Sequence, residues 1–272
     1  MKNIYSTEYN NRYSKVGNFM ASFGITMLVA IGEIGMVIVI MIVKTIMAAV
    51  TTDSEENFNK AMDEIFSRSD FFAKTTLLIT TIALIIVFIC YYFSFVKHDM
   101  RKGIYESVFP KLKDKRLIGF IVCATISAFG VAGVLSGIIS SLLPEKAETL
   151  TEVFEDLKLS GYLYFLDVVI LGPIFEELVM RGLILKTSKK AFGMIGCMII
   201  NAILFSVFHG NIIQGFYTLP IGLFYAFLAF QFNSVIPTIF CHMFHNLLST
   251  FFDFGGVFGI VLDILLFLIF GA

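Results

Sequence analysis

Between Val16 and Val43 the chain carries one ionisable residue, Glu33, in an otherwise largely apolar run. A run of that length is the strongest constraint on what the chain can fold into. About 20 apolar residues, at 1.5 Å each, cover the hydrocarbon core of a bilayer. No water is present there to satisfy backbone N–H and C=O groups, so the run has to be helical. Comparable runs follow at roughly Phe71–Val96, Leu117–Leu143, Gly161–Leu185, Ala191–His209, Ile212–Phe230, Val235–Phe252 and Gly255–Phe270. The expected fold is therefore all-α, a polytopic membrane helix bundle of about eight transmembrane helices. Composition agrees: 57% of the 272 residues are hydrophobic and 15% are charged, outside the range of soluble globular domains. The three spans within residues 1–160 form an N-terminal transmembrane region, and residues 161–272 form a second region.

Orientation follows from Lys and Arg in the loops, because positive charge is retained on the cytoplasmic side. The segment Lys97–Arg116 carries Lys97, Arg101, Lys102, Lys111, Lys113, Lys115 and Arg116, whereas Thr51–Asp70 has only Lys60 and Arg68 among several acids. The first is expected inside and the second outside. The N-terminal tail (Lys2, Arg12, Lys15) and the "KTSKK" turn (Lys186, Lys189, Lys190) then also lie inside, and both termini are cytoplasmic. The acidic loop Pro144–Ser160 falls outside. Within it "ETLTEVFEDLKLS" places Leu150, Val153, Phe154 and Leu157 at helical spacing, which predicts a short amphipathic interfacial helix. A net charge of −1 gives no basis for a nucleic-acid partner. Cys90, Cys123, Cys197 and Cys241 all sit in apolar runs without C-x-x-C spacing and read as small buried hydrophobes.

Ionisable residues inside spans are the informative exceptions, since each costs several kcal/mol, roughly 2.5 to 3.5 for Asp, Lys or Arg at mid-bilayer. They are Glu33, Asp167, Glu176, Glu177, Arg181, His209, His242, His245 and Asp263. In "EELVMR", Glu177 and Arg181 stand four apart on a helix and can pair. Glu176, rotated by about 100°, faces elsewhere and becomes the candidate reactive carboxylate. Pro173, three residues earlier, cannot donate a backbone hydrogen bond, so the helix can bend there and admit water. In "FSVFH", Phe205 and His209 share a face. In "HMFHN", His242 and Asn246 share a face after Pro237, and His245 points partly away.

Each group alone has a structural alternative: a buried charge network, an interfacial histidine, or an interhelical hydrogen-bond clasp. Together, a carboxylate, two histidines and an amide on separate helices supply what amide hydrolysis needs, a base for water and donors for the developing oxyanion. No H-E-x-x-H, G-x-S-x-G or phosphate-binding loop accompanies them.

The three motifs, Glu176-Glu177-x-x-x-Arg181, Phe205-x-x-x-His209 and His242-x-x-x-Asn246, occur in this order on separate predicted spans. In this they resemble the CPBP family of intramembrane proteases, which includes the CAAX prenyl endopeptidases and the bacteriocin-processing and self-immunity proteins. The resemblance covers roughly Gly161–Leu248 and makes residues 161–272 a protease core with its C-terminal helices. It implies that Glu176 and His209 activate water, that His242 and Asn246 stabilise the oxyanion, and that Glu177 and Arg181 shape the site. No cofactor is expected. Zinc on Glu176, His209 and His242, with a water in the fourth position, is the alternative. Asn246 is a poor zinc ligand and a good amide donor, which favours the metal-free mechanism.

The expected function is an intramembrane endopeptidase acting on a peptide or membrane-protein substrate within the lipid bilayer of a cell membrane. A strong Ile, Phe, Asn and Lys bias without Trp suggests an AT-rich bacterial genome, and hence a leader-type or signalling peptide as substrate. A proton-coupled carrier is the competing class, supported by Glu33, Asp167 and Asp263, which lie outside the motifs. A non-catalytic membrane partner in a regulatory or immunity pathway is the third. Counting residues from the "KTSKK" turn puts Glu176 near mid-membrane but His209 close to the outer surface if the fifth span is straight.

Overall fold

The computed structural model describes residues 15–67, 69–103, 105, 107–188, 192–252, 264–267 and 269–270. Regular structure among them is entirely helical. Helix α1 runs Lys15–Thr51, α2 Glu55–Ser67, and α3 Ser69–Tyr91, which continues through a π turn, Tyr92–Val96, to Arg101. Helix α4 is Lys115–Leu142 and α5 is Pro144–Lys158. Residues 162–188 form α6, followed by α7 (Met194–Phe208), α8 (Ile212–Phe232) and α9 (Ile236–Phe251).

Four stretches are both long and apolar enough to cross a membrane: Met20–Thr51, Ala73–Arg101, Lys115–Leu142 and Ile212–Phe232. They correspond to the first, second, third and sixth expected spans. Helices α6, α7 and α9 occupy the positions of the fourth, fifth and seventh. Of these, α7 and α9 have 15 and 16 residues, short of the roughly 20 that a straight, untilted crossing needs. The greater part of the expected eighth span, including Asp263, lies outside the described residues, as do Lys2, Arg12, Lys189 and Lys190. The lipid-facing surface is plain in α1, where Leu28 is 73% and Ile31 65% exposed: apolar surface on this scale is stable only against hydrocarbon. The chain is a multi-pass membrane protein.

Helix boundaries follow local chemistry. Asp114 caps α4 by accepting from the Arg116 N–H at 2.9 Å, and Asn211 caps α8 by accepting from the Gln214 N–H at 2.8 Å. Asn233, in the left-handed region at φ 56°, ends α8. Pro144 opens α5, whose fixed φ suits a first helical turn. The amphipathic helix expected in the acidic loop is therefore present, and longer than its sequence pattern indicated. Helix α2 had no counterpart in that reading. Its charged composition hid it among loop residues.

The core forms around the second half of α6. Val179, Met180, Ile184, Phe175, Leu178 and Phe205 are buried together with Ala83 and Val87 of α3, and Ile25, Val29 and Met36 of α1 pack onto them. Helices α7 and α8 run close enough that a Cβ on Gly222 would lie 3.0 Å from the Ala202 Cα and press on the α7 backbone. Lys186, expected in a turn, lies in the last helical turn of α6. It is buried, its Nζ 3.9 Å from Asp99 Oδ2 and about 5 Å from the ring centroids of Tyr91 (5.1 Å) and Phe95 (5.0 Å), and so fastens the end of α6 to α3.

Candidate active site

Helix α6 changes its winding four times. A short α turn, Tyr162–Tyr164, passes into a π stretch, Phe165–Leu171; α geometry returns over Gly172–Glu177, gives way to a second π stretch, Leu178–Ile184, and resumes at Leu185–Ser188. Glu176 and Glu177 thus sit at the end of a short α segment held between two wide turns. Wide turns alter the phase of side chains along a helix and are frequent at functional sites.

The two glutamates separate as their spacing predicts. Glu177 is fully buried, and its Oε1 accepts from Arg181 Nη1 at 2.8 Å. Arg181, equally buried, donates through Nη2 to the Gly222 carbonyl of α8 at 3.1 Å and stacks over the rings of Phe205 (4.5 Å) and Tyr225 (5.4 Å). The Glu176 side chain retains 23% exposure, and its Oε2 makes no hydrogen bond among the described residues. Glu177 is therefore held through Oε1 in a buried network, whereas Glu176, on a partly exposed side chain, keeps a buried Oε2 that no hydrogen bond engages among the described residues.

His242 of α9 lies between them. Its Nδ1 is 3.0 Å from Glu177 Oε1, and its Nε2 is 3.9 Å from Glu176 Oε2. A carboxylate oxygen only accepts, so Nδ1 carries the hydrogen of the first bond and Nε2 is the nitrogen turned toward Glu176. The second distance exceeds a hydrogen bond. The helical spacing of Glu177 and Arg181 revealed their pair, but not that Glu177 also orients His242, because the bond joins residues 65 positions apart.

Phe205 forms a wall common to the other groups. Its ring meets His209 edge-on at 4.8 Å and His242 edge-on at 5.8 Å, beneath the Arg181 guanidinium. Both imidazoles therefore contact one ring, and the residue count from the turn to His209 is shorter than a straight span from Ala191 gave. Helix α7 begins at Met194, not Ala191, and His209 is its C-cap. His209 Nδ1 bonds the Phe205 carbonyl at 2.8 Å, leaving Nε2 available. No hydrogen bond or ion pair joins His209 to Glu176 among the described residues. Asn246 reaches α6, its Nδ2 donating to the Val168 carbonyl at 2.9 Å. Tyr225, fully buried with its ring 5.4 Å from His242, is a neighbour that no sequence motif announced.

Two intramembrane acids outside the motifs come to the same place. Glu33 of α1 and Asp167 of α6 lie within electrostatic reach of Glu176 and of each other, with Thr76 and Thr80 of α3 beside Asp167. Glu33 follows Ile25 and Val29 on the α1 face that packs against the core. His245 instead packs edge-on against Phe129 of α4, 5.5 Å away, and is buried on the far side of α9. The zinc alternative finds no assembled donor set: among the described residues no three His, Cys, Asp or Glu side chains gather closely enough to hold a metal ion.

Residues 158–248 match the family model described as Type II CAAX prenyl endopeptidase Rce1-like. The matched segment begins at the end of α5 and closes within α9, enclosing all three motifs. No curated protein and no solved structure matches the chain.

Proposed function

We propose that this chain, whose residues 158–248 match the Rce1-like family model, is an intramembrane endopeptidase of the CPBP protease class, cutting a peptide bond of a membrane-associated peptide or protein. The observation that carries the reading is His242, bonded at Nδ1 to Glu177 and turned at Nε2 toward the buried, unbonded Oε2 of Glu176.

In this reading Glu176 takes a proton from the attacking water and returns it to the leaving nitrogen, the task of a partly exposed carboxylate with a free oxygen. His209, anchored by its Nδ1 bond to Phe205, presents Nε2 to the same water. His242, with Nδ1 bonded to Glu177, donates from Nε2 to the developing oxyanion when that nitrogen carries a proton. Asn246 adds an amide N–H to the same oxyanion. Glu177 and Arg181 hold the imidazole in place and touch no substrate. No step passes through a metal ion. Both termini face the cytoplasm of a cell membrane, by the loop charges, and the preferred substrate is a leader-type peptide.

The carrier reading drew on Glu33, Asp167 and Asp263, of which Glu33 and Asp167 lie among the described residues. Their closeness to Glu176 gives them a place around the hydrolytic site and removes the need for a separate proton path. The deciding experiment compares the membrane peptidome of cells carrying the wild type with that of cells carrying Glu176→Ala, His209→Ala or His242→Ala. Each variant is expected to insert normally and to accumulate uncut substrate. Ordinary processing by Glu176→Ala would sink the proposal, and peptide-independent uptake driven by a pH gradient in vesicles would favour the carrier.

A further inference from the structure

In a π turn each amide N–H bonds the carbonyl five residues earlier instead of four. The π stretch of α6 ends in that register, with the Gly172 N–H donating to the Asp167 carbonyl. The next acceptor in the series is the Val168 carbonyl, and its donor would be the amide of residue 173. That residue is Pro173, which has no N–H. Glycine at 172 permits the wide register, because a Cβ there would lie 2.9 Å from the Asp167 carbonyl oxygen. Helix α6 therefore presents a carbonyl with no donor in its own ladder, at membrane depth, where an unbonded carbonyl carries its full desolvation penalty.

Asn246 supplies the missing donor from α9, with Nδ2 2.9 Å from Val168 O. A primary amide is planar and carries two N–H groups. Bonding one of them to a backbone atom fixes the amide plane, and with it the direction of the second N–H and of Oδ1. Asn246 stands one helical turn beyond His242 on the same face of α9. Its amide would otherwise rotate freely about the last side-chain bond, which is broad and roughly two-fold.

We infer that Pro173 is a positioning residue: by leaving the Val168 carbonyl unbonded in the π register of α6, it creates the acceptor that holds and aims the Asn246 amide. The catalytic consequence rests on the endopeptidase reading. The structural one does not.

The test is a double-mutant cycle on thermal unfolding of the full-length protein in detergent, using Pro173→Ala, Asn246→Ala and the pair. Asn246→Ala is expected to lower Tm in the Pro173 background, where Val168 O loses its donor. In the Pro173→Ala background the backbone N–H restored at position 173 can take that carbonyl, and the loss should shrink by about half or more. Equal losses in the two backgrounds would overturn the inference. Hydrogen exchange on Asn246→Ala alone needs no proline variant: amides of residues 165–177 should exchange several-fold faster than in the wild type while those of α8 do not change, and unchanged exchange at 165–177 counts against the inference. Where cleavage is assayed, Pro173→Ala should reduce kcat and leave KM near the wild-type value; a KM effect alone would also overturn it. Absence of any peptide cleavage by the wild type would end the endopeptidase reading and leave the unfolding cycle to judge the Pro173 inference.

Discussion

Glu177 Oε1 lies 3.0 Å from His242 Nδ1 while accepting from Arg181 Nη1 at 2.8 Å, so one buried oxygen serves both a salt bridge and an imidazole. This shared atom joins the first motif to the third. It makes Glu177 the residue on which both the charge balance of the core and the orientation of His242 depend.

Removing Glu177 should therefore be far more damaging than its distance from any substrate suggests. Glu177→Ala strands a guanidinium among Phe205, Tyr225 and the core, and loss of one partner of a buried ion pair costs about 3 to 5 kcal/mol. A large drop in Tm in detergent, with loss of inserted protein, is the expected result. Glu177→Gln keeps an acceptor and should lose less. Equal stability of the wild type and Glu177→Ala would refute the network.

Glu176 should behave in the opposite way. Its side chain is partly exposed and its Oε2 makes no hydrogen bond among the described residues. Glu176→Gln is expected to leave the unfolding free energy within roughly 1 kcal/mol of the wild type, as for other partly exposed changes outside a network. Cleavage should fall on the order of 10²-fold or more, the usual contribution of a general base. Retained cleavage together with a lower Tm would reverse the roles given to the two glutamates.

At the α7–α8 crossing, Gly222→Ala brings a methyl group to 3.0 Å from the Ala202 Cα and 3.2 Å from the Phe205 ring. Overpacking of this kind costs typically about 1 to 3 kcal/mol. Because Gly222 O also receives Arg181, the substitution should lower both Tm and kcat. An unchanged Tm would mean that the helices separate without cost.

A chelator distinguishes the metal-free mechanism from the zinc alternative directly. Prolonged exposure of the purified protein to 1,10-phenanthroline or EDTA should leave the cleavage rate unchanged. Loss of activity that added zinc restores would reinstate Glu176, His209 and His242 as ligands.

Much of the architecture is legible in the sequence because membrane solvation imposes it residue by residue. Long apolar runs must be helices, and ionisable residues within them must turn inward or pair. That reasoning located α1, α3, α4 and α8 and singled out Glu176, Glu177, Arg181, His209 and His242. It erred where local pattern and environment part company. Lys186 was read as part of a turn, yet it lies in the last helical turn of α6, buried against Asp99 and two aromatic rings. Helix α2 was read as loop because it is too polar to resemble a span.

What the sequence determined by itself is which side chains cannot face lipid, and which of them share a helix face. Glu177 and Arg181 are paired by spacing alone. What only the tertiary structure decided is which partner each remaining group meets: Glu177 with His242, Asn246 with the Val168 carbonyl, and Phe205 between His209 and His242. The physical reason is that i, i+4 neighbours are set by helical geometry, whereas contacts between helices depend on tilt, on close approach at residues such as Gly222, and on the phase shifts that the π turns of α6 introduce. None of these leaves a periodic signal along the chain.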